Sequence, residues 1–151
     1  PSLIRCCQVQ TLFESSALIL NDHLAQAIKQ DGLCALEPLG RALAHSHNQG
    51  FFHGDLKGFH AFVEPKSESG SGEYTLRWLD LARVGFHLSR RQRIINLYQM
   101  LRFVVPERGD ARDCFMRSYC AAAQWHADNP NKAMSIVGKF LEQKLKTHPN
   151  P

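Results

Sequence analysis

One eight-residue stretch constrains this chain more than any other: His53, Gly54, Asp55, Leu56, Lys57, Gly58, Phe59 and His60, set between Phe51–Phe52 and Ala61–Phe62–Val63. An acid, a base and two imidazoles between apolar flanks lose hydration wherever the fold buries them, which costs free energy unless they are paired. Such a stretch reads as a functional loop rather than a linker. A second acid, Asp80, follows the run Tyr74 to Leu79. Asp55 and Asp80 are therefore the candidate reactive carboxylates, expected to converge in space although they stand twenty-five positions apart.

Composition bounds what can surround them. At 151 residues, 44% hydrophobic and 21% charged, the chain can bury one core but hardly two. The net charge of +4 and the pI near 9.0 favour anionic partners. No run of five basic residues marks a nucleic-acid tail, so no nucleic-acid partner is expected. Cys6, Cys7, Cys34, Cys114 and Cys120 form an odd, scattered set without a CxxC pair, which suits buried structural thiols in a reducing compartment. No stretch approaches the roughly 18 apolar residues of a membrane span, so a soluble or peripheral protein is expected. The chain begins at Pro1 without Met and is expected to be a piece of a longer polypeptide.

The hydrophobic pattern predicts two strands, Cys7 to Phe13 and Ser16 to Leu20, with Asn21, Asp22 and His23 breaking the second and a short helix from Leu24 to Lys29. A stronger helix is expected where Leu36, Leu39 and Leu43 repeat, with Pro38 near its start and Gly50 at its end. It runs straight into the polar loop. Ala61 to Val63 reads as a short strand, Pro65 to Gly72 as a solvated hairpin tip, and Tyr74 to Leu79 as the returning strand. Beyond Ser89 three helices are expected. Ile94, Leu97, Tyr98 and Leu101 face inward on the first; Asp110 caps the second, which carries Phe115, Tyr119 and Ala122. Asn131 caps the third, with Met134, Val137 and Leu141 inward.

The loop keeps the protein-kinase spacing His-x-Asp-x-x-x-x-Asn, with His60 in the place of Asn, and Asp80 follows a strand as the magnesium-binding Asp of kinases does. More specifically, "FFHGDLKGFHAFV", "LRWLDLARVGF" and "RRQRIINLYQMLRF" resemble the bacterial lipopolysaccharide core kinases, the Kdo and heptose kinase family. The resemblance spans about residues 16–119. It implies an α+β, mainly helical C-terminal lobe of a protein-kinase-like fold with short β-hairpins. Residues 1–23 would supply the end of the N-lobe strands and the hinge, and 24–151 the C-lobe. No Gly-rich phosphate loop and no strand-borne Lys with a helix Glu stand in the sequence, so the N-lobe is expected to be largely absent and this fragment alone inactive.

The resemblance also assigns roles. Asp55 would orient and deprotonate a sugar hydroxyl, Lys57 would meet the γ-phosphate of ATP, and His60 with Asp80 would stand at Mg²⁺. His53 would be a packing residue of the loop, and Asn21, Asp22 and His23 the hinge that receives adenine. The implied acceptor is a Kdo or heptose hydroxyl of the lipopolysaccharide inner core, a glycolipid met at the cytoplasmic face of the inner membrane by a peripheral contact. Arg90, Arg91 and Arg93 crowd a helix start, where cations oppose the helix dipole unless an anion is present. Arg90, Arg91 and Arg83 are thus the candidates for binding an acidic acceptor. Two other classes fit the residues: a degenerate kinase-like module that binds without turnover, and a metal-dependent hydrolase using His53, Asp55, His60 and Asp80.

Overall fold

The computed structural model describes residues 18–65 and 73–147. Strand β1 (Leu18–Ile19) leads directly into helix α1 (Leu20–Asp31), and a single 3-10 turn separates α1 from helix α2 (Leu36–Asn48). Strand β2 (Phe52–His53), the polar loop, strand β3 (Ala61–Pro65), strand β4 (Tyr74–Trp78) and strand β5 (Val84–Gly85) follow. Helices α3 (Arg90–Phe103), α4 (Gly109–Ala123) and α5 (Pro130–Thr147) complete the described chain.

Among the described residues the result is an α+β architecture of helices with two small antiparallel sheets, one ordered β1-β3-β4 and one pairing β2 with β5. In the first, Ala61 lies opposite Trp78 and Val63 opposite Leu76; in the second, Phe52 lies opposite Gly85 and His53 opposite Val84. The polar loop thus leaves one sheet and enters the other. Asp80 follows β4 and precedes β5, so both sheets meet at the two acids.

Helix α2 forms as its leucine spacing requires. Leu36, Leu39 and Leu43 are at most 1% exposed, and each such burial contributes about 1.5–3 kcal/mol. Gly40 lets α2 approach α4 closely, because a Cβ there would lie 2.7 Å from the Phe115 carbonyl oxygen and 2.8 Å from the Tyr119 nitrogen. Gly50 ends the helical segment with φ 78°, a left-handed conformation that glycine tolerates. Helix α3 starts with a capping box, in which Ser89 Oγ accepts from the Gln92 amide and the Gln92 side chain accepts from the Ser89 amide.

Several expectations are corrected. The strand ends before Asn21, Asp22 and His23 as expected, but these residues form the first turn of α1, which begins at Leu20 rather than Leu24. Leu20 and Leu24, four residues apart, are both buried, and tertiary burial overrides the weak helix propensity between them. The strand expected over Ser16 to Leu20 is Leu18–Ile19 among the described residues, whereas Cys7 to Phe13 and the hairpin tip 66–72 lie outside them. Asp110 stands inside the first turn of α4 rather than at its cap. Asn129, not Asn131, caps α5, its Oδ1 accepting from the Lys132 amide, with Pro130 at the first helical position. On α5, Ala133 and Val137 are fully buried and Met134 only partly so. Cys120 is buried and Cys114 half-buried as expected, but the Cys34 thiol is exposed. Cys6 and Cys7 lie outside the described residues.

Candidate active site

The loop from β2 to β3 is fixed by its own imidazoles. His53 is fully buried, and its Nε2 stands 2.8 Å from the Leu79 carbonyl oxygen, so Nε2 carries the proton and donates. Its Nδ1 is then an acceptor and takes the Asp55 amide at 3.3 Å. Both nitrogens are spent on the backbones that carry Asp55 and Asp80. His53 is thus the packing residue of the loop and not a member of the metal set suggested for a hydrolase.

His60 is arranged the opposite way. Its Nδ1 donates to the Asp55 carbonyl oxygen at 2.6 Å, which leaves the Nε2 lone pair 4.0 Å from Asp80 Oδ2. A second-sphere hydrogen bond that fixes the tautomer and aims the other nitrogen is how protein imidazoles are prepared for a cation. The loop is closed by His60 donating its amide to Lys57 O and accepting at its own carbonyl from the Leu79 amide.

Asp80 adopts φ 51°, ψ 63°, a left-handed conformation that a short polar side chain tolerates better than most. A non-glycine residue held there commonly marks a functional position. The turn sets its carboxylate, 54% exposed, opposite His60. Asp55, His60 and Asp80 each offer one ligand atom, and these atoms lie within 4.8 Å of one another. Donors on a single Mg²⁺ at its 2.0–2.1 Å bond lengths stand about 3 Å apart when adjacent and about 4 Å apart when opposite. A modest contraction would therefore close the three on a divalent cation, with two carboxylates of the type Mg²⁺ prefers. Lys57 Nζ pairs with Asp55 Oδ2 at 3.2 Å, both side chains about one-third exposed.

The remaining candidates fall around this centre. The Asn21 side chain sits directly over Gly58, where a Cβ would displace it, so α1 touches the loop at this glycine. His23 packs edge-on against Tyr74 at 5.2 Å, and burial pulls its pKa below the ordinary imidazole value. Asp22 is exposed in the first turn of α1. Arg83 is exposed next to the loop, its carbonyl oxygen accepting the Gly54 amide at 2.7 Å. Arg90 and Arg91 are exposed at the start of α3. Arg93 leaves that cluster: it turns inward, donates to the Tyr119 hydroxyl at 2.6 Å, and lies over the Trp125 ring at 5.7 Å.

Behind the loop stands a group that the hydrophobic pattern did not reveal. Asn96, Gln99 and His47 are buried polar residues on α3 and α2; Asn96 and Gln99 bond to the main chain of His53 and Gly54, and His47 bonds to the Asn96 side chain. Spacing gave no warning of them, since His45 and His47 share no helix face and carry no metal pattern. The available signal was Asn96 and Gln99 sitting within the otherwise apolar inward face of α3.

No protein-family model matches the sequence, and no curated protein is similar enough to it to count as a relative. Among solved structures the chain is similar to WaaP in complex with acyl carrier protein, with a TM-score of 0.59 and 15% identity over 87% of this chain. The likeness is one of fold. The chain spans 57% of the WaaP chain.

Proposed function

We propose that the chain is the C-terminal, kinase-like part of an ATP-dependent phosphotransferase whose acceptor is a sugar hydroxyl, Kdo or heptose, of the lipopolysaccharide inner core. The observation that carries this reading is the meeting of Asp55, His60 and Asp80 within 4.8 Å, with Lys57 on Asp55. The kinase-type spacing of the loop and the fold shared with WaaP support it. Phosphoryl transfer asks a protein for position and charge neutralisation more than for covalent chemistry, and two carboxylates, an imidazole and a lysine meet that demand.

In this reading Asp55 receives the proton of the acceptor hydroxyl, and its link to Lys57 keeps the cation beside the phosphate to be moved. His60 and Asp80 would hold Mg²⁺, with Asp55 as a third residue able to contribute a ligand atom. The bound cation would neutralise charge on the phosphates. Asn21, Asp22 and His23 contribute to the adenine side from the first turn of α1, where no side chain caps the leading amides. Arg83, Arg90 and Arg91 face the acidic acceptor. The remaining N-lobe elements would come from outside residues 24–151, and the enzyme would work at the cytoplasmic face of the inner membrane by a peripheral contact. No helix among the described residues is long and apolar enough to cross a membrane.

Three ligands of this kind would also serve a hydrolytic metal centre. Lys57 separates the two readings, because phosphoryl transfer should lose orders of magnitude with Lys57→Ala while metal-assisted hydrolysis should not. The deciding experiment is phosphate transfer from labelled ATP to a lipopolysaccharide-core acceptor by the full-length enzyme. Asp55→Ala and Asp80→Ala should each abolish transfer with the fold intact. Near-normal turnover in either variant would end the assignment.

A further inference from the structure

Helix α3 contributes no side chain to the cluster of Asp55, Lys57, His60 and Asp80, yet it holds the backbone that carries two of them. Asn96 Oδ1 accepts the His53 amide at 3.2 Å, and Asn96 Nδ2 donates to the His53 carbonyl at 2.6 Å. This paired contact imitates a neighbouring strand on β2, which pairs with β5 through the register Phe52–Gly85 and His53–Val84. Gln99 extends it by accepting from Asn96 Nδ2 at 3.0 Å and donating to the Gly54 carbonyl at 3.2 Å.

The other lone pair of Asn96 Oδ1 faces His47 Nε2 at 3.2 Å, so that nitrogen must carry the proton. His47 Nδ1 is then an acceptor, and the Tyr119 hydroxyl donates to it at 2.6 Å. The Tyr119 oxygen in turn accepts from Arg93 at 2.6 Å. Every donor and acceptor of the Asn96 amide is used, and the direction of each bond from Arg93 to His53 follows from the one before it. Burial holds His47 neutral, as this order requires.

We propose that Asn96 is the positioning residue of the site and that Tyr119 and His47, by fixing the imidazole tautomer that donates to it, couple helix α4 to the loop carrying Asp55. Because His53 also grips the Leu79 carbonyl, the same anchor holds the strand end before Asp80. The inference rests on the proposed phosphotransferase reading for its kinetic consequence, but its structural consequence is independent of that reading.

The test uses the full-length enzyme and three substitutions: Tyr119→Phe, which removes one hydroxyl from a buried ring; His47→Gln, which retains an N–H donor toward Asn96; and His47→Leu, which does not. Amide hydrogen exchange at His53, Gly54 and Asp55 is read by NMR alongside kcat and KM for ATP. Exchange should rise in Tyr119→Phe and His47→Leu and recover in His47→Gln. In parallel, kcat should fall roughly 10- to 100-fold in the first two, with KM for ATP changed little, because a small misplacement of a reacting group costs rate more than binding. Unchanged loop exchange in a folded Tyr119→Phe and His47→Leu overturns the proposal, as does a change in exchange that His47→Gln fails to rescue. A wild-type enzyme that exchanges as expected but transfers no phosphate sinks the phosphotransferase reading and leaves the anchor standing.

Discussion

The two faces of the loop at residues 53–60 are built from the same residue types to opposite ends. Behind it, His53, His47, Asn96 and Tyr119 are almost fully excluded from water, and their polar atoms bond to one another, to the Gln99 and Arg93 side chains, or to main chain. In front, Asp55 and Lys57 share one ion pair that is about one-third exposed, and the Asp80 carboxylate faces an imidazole lone pair at 4.0 Å. A saturated network has one low-energy arrangement and resists change, whereas an open pair in water exchanges partners at little cost. The contrast teaches where rigidity has to sit: behind the groups proposed to react, leaving their outward atoms open for the cation, phosphate or hydroxyl of that proposal.

The largest effect should come from the front. Asp55→Ala should lower transfer by about 10²–10⁴-fold in a steady-state assay of the full-length enzyme while thermal unfolding stays close to wild type, the range that a general base contributes. Asp80→Ala should behave alike. If either variant unfolds instead, the division between the two faces is wrong.

The rear should answer in stability. Asn96→Ala leaves the buried His53 amide and carbonyl without partners, and urea unfolding should show a loss of about 2–4 kcal/mol. A loss under half a kcal/mol would show that water enters and replaces the amide.

The pH dependence of stability sharpens the comparison further. Burial, opposed by the Asn96 hydrogen bond and reinforced by the Arg93 charge, lowers the His47 pKa from 6.5 to about 4. The unfolded chain therefore binds a proton in this window that the folded chain refuses. The contribution is fully present above pH 6.5 and is lost as pH falls toward about 4, by roughly 3 kcal/mol. His47→Gln should flatten that part of a stability–pH curve measured against wild type; an unchanged slope would place the titration elsewhere.

The smallest effect belongs to the periphery. Replacing exposed Arg90 or Arg91 with Gln removes a positive charge from the first turn of α3 and should raise stability by about 0.3–1 kcal/mol at low salt. For an acidic acceptor, KM should rise in the same variants and more so at low salt than at high. A stability gain with no change in KM would assign these arginines to the solvent.

Much of the fold was legible because burial and spacing coincided. Leu36, Leu39 and Leu43 announced α2, Gly50 its end, and Tyr74, Leu76 and Trp78 the strand that leads to Asp80. Where burial came from distant segments, local signals failed. Asn21 to His23 looked like a break ahead of the helix, but the demand to bury Leu20 and Leu24 made them its first turn. The site divided in the same way. Asp55, Lys57, His60 and Asp80 were visible as polar residues in apolar surroundings, while Arg93, grouped with the arginines of the helix start, and His47, which spacing did not single out, turned inward to Tyr119.

By itself the sequence determined which residues could do chemistry and which segments had to be buried, since residue type and periodicity are written along the chain. Only the tertiary structure decided that two acids twenty-five positions apart meet within 4.8 Å, and which nitrogen of each histidine carries its proton. Both depend on partners such as the Leu79 and Asp55 carbonyls and the Asn96 amide. Those partners come within hydrogen-bonding distance only after the sheets have paired and the helices have packed.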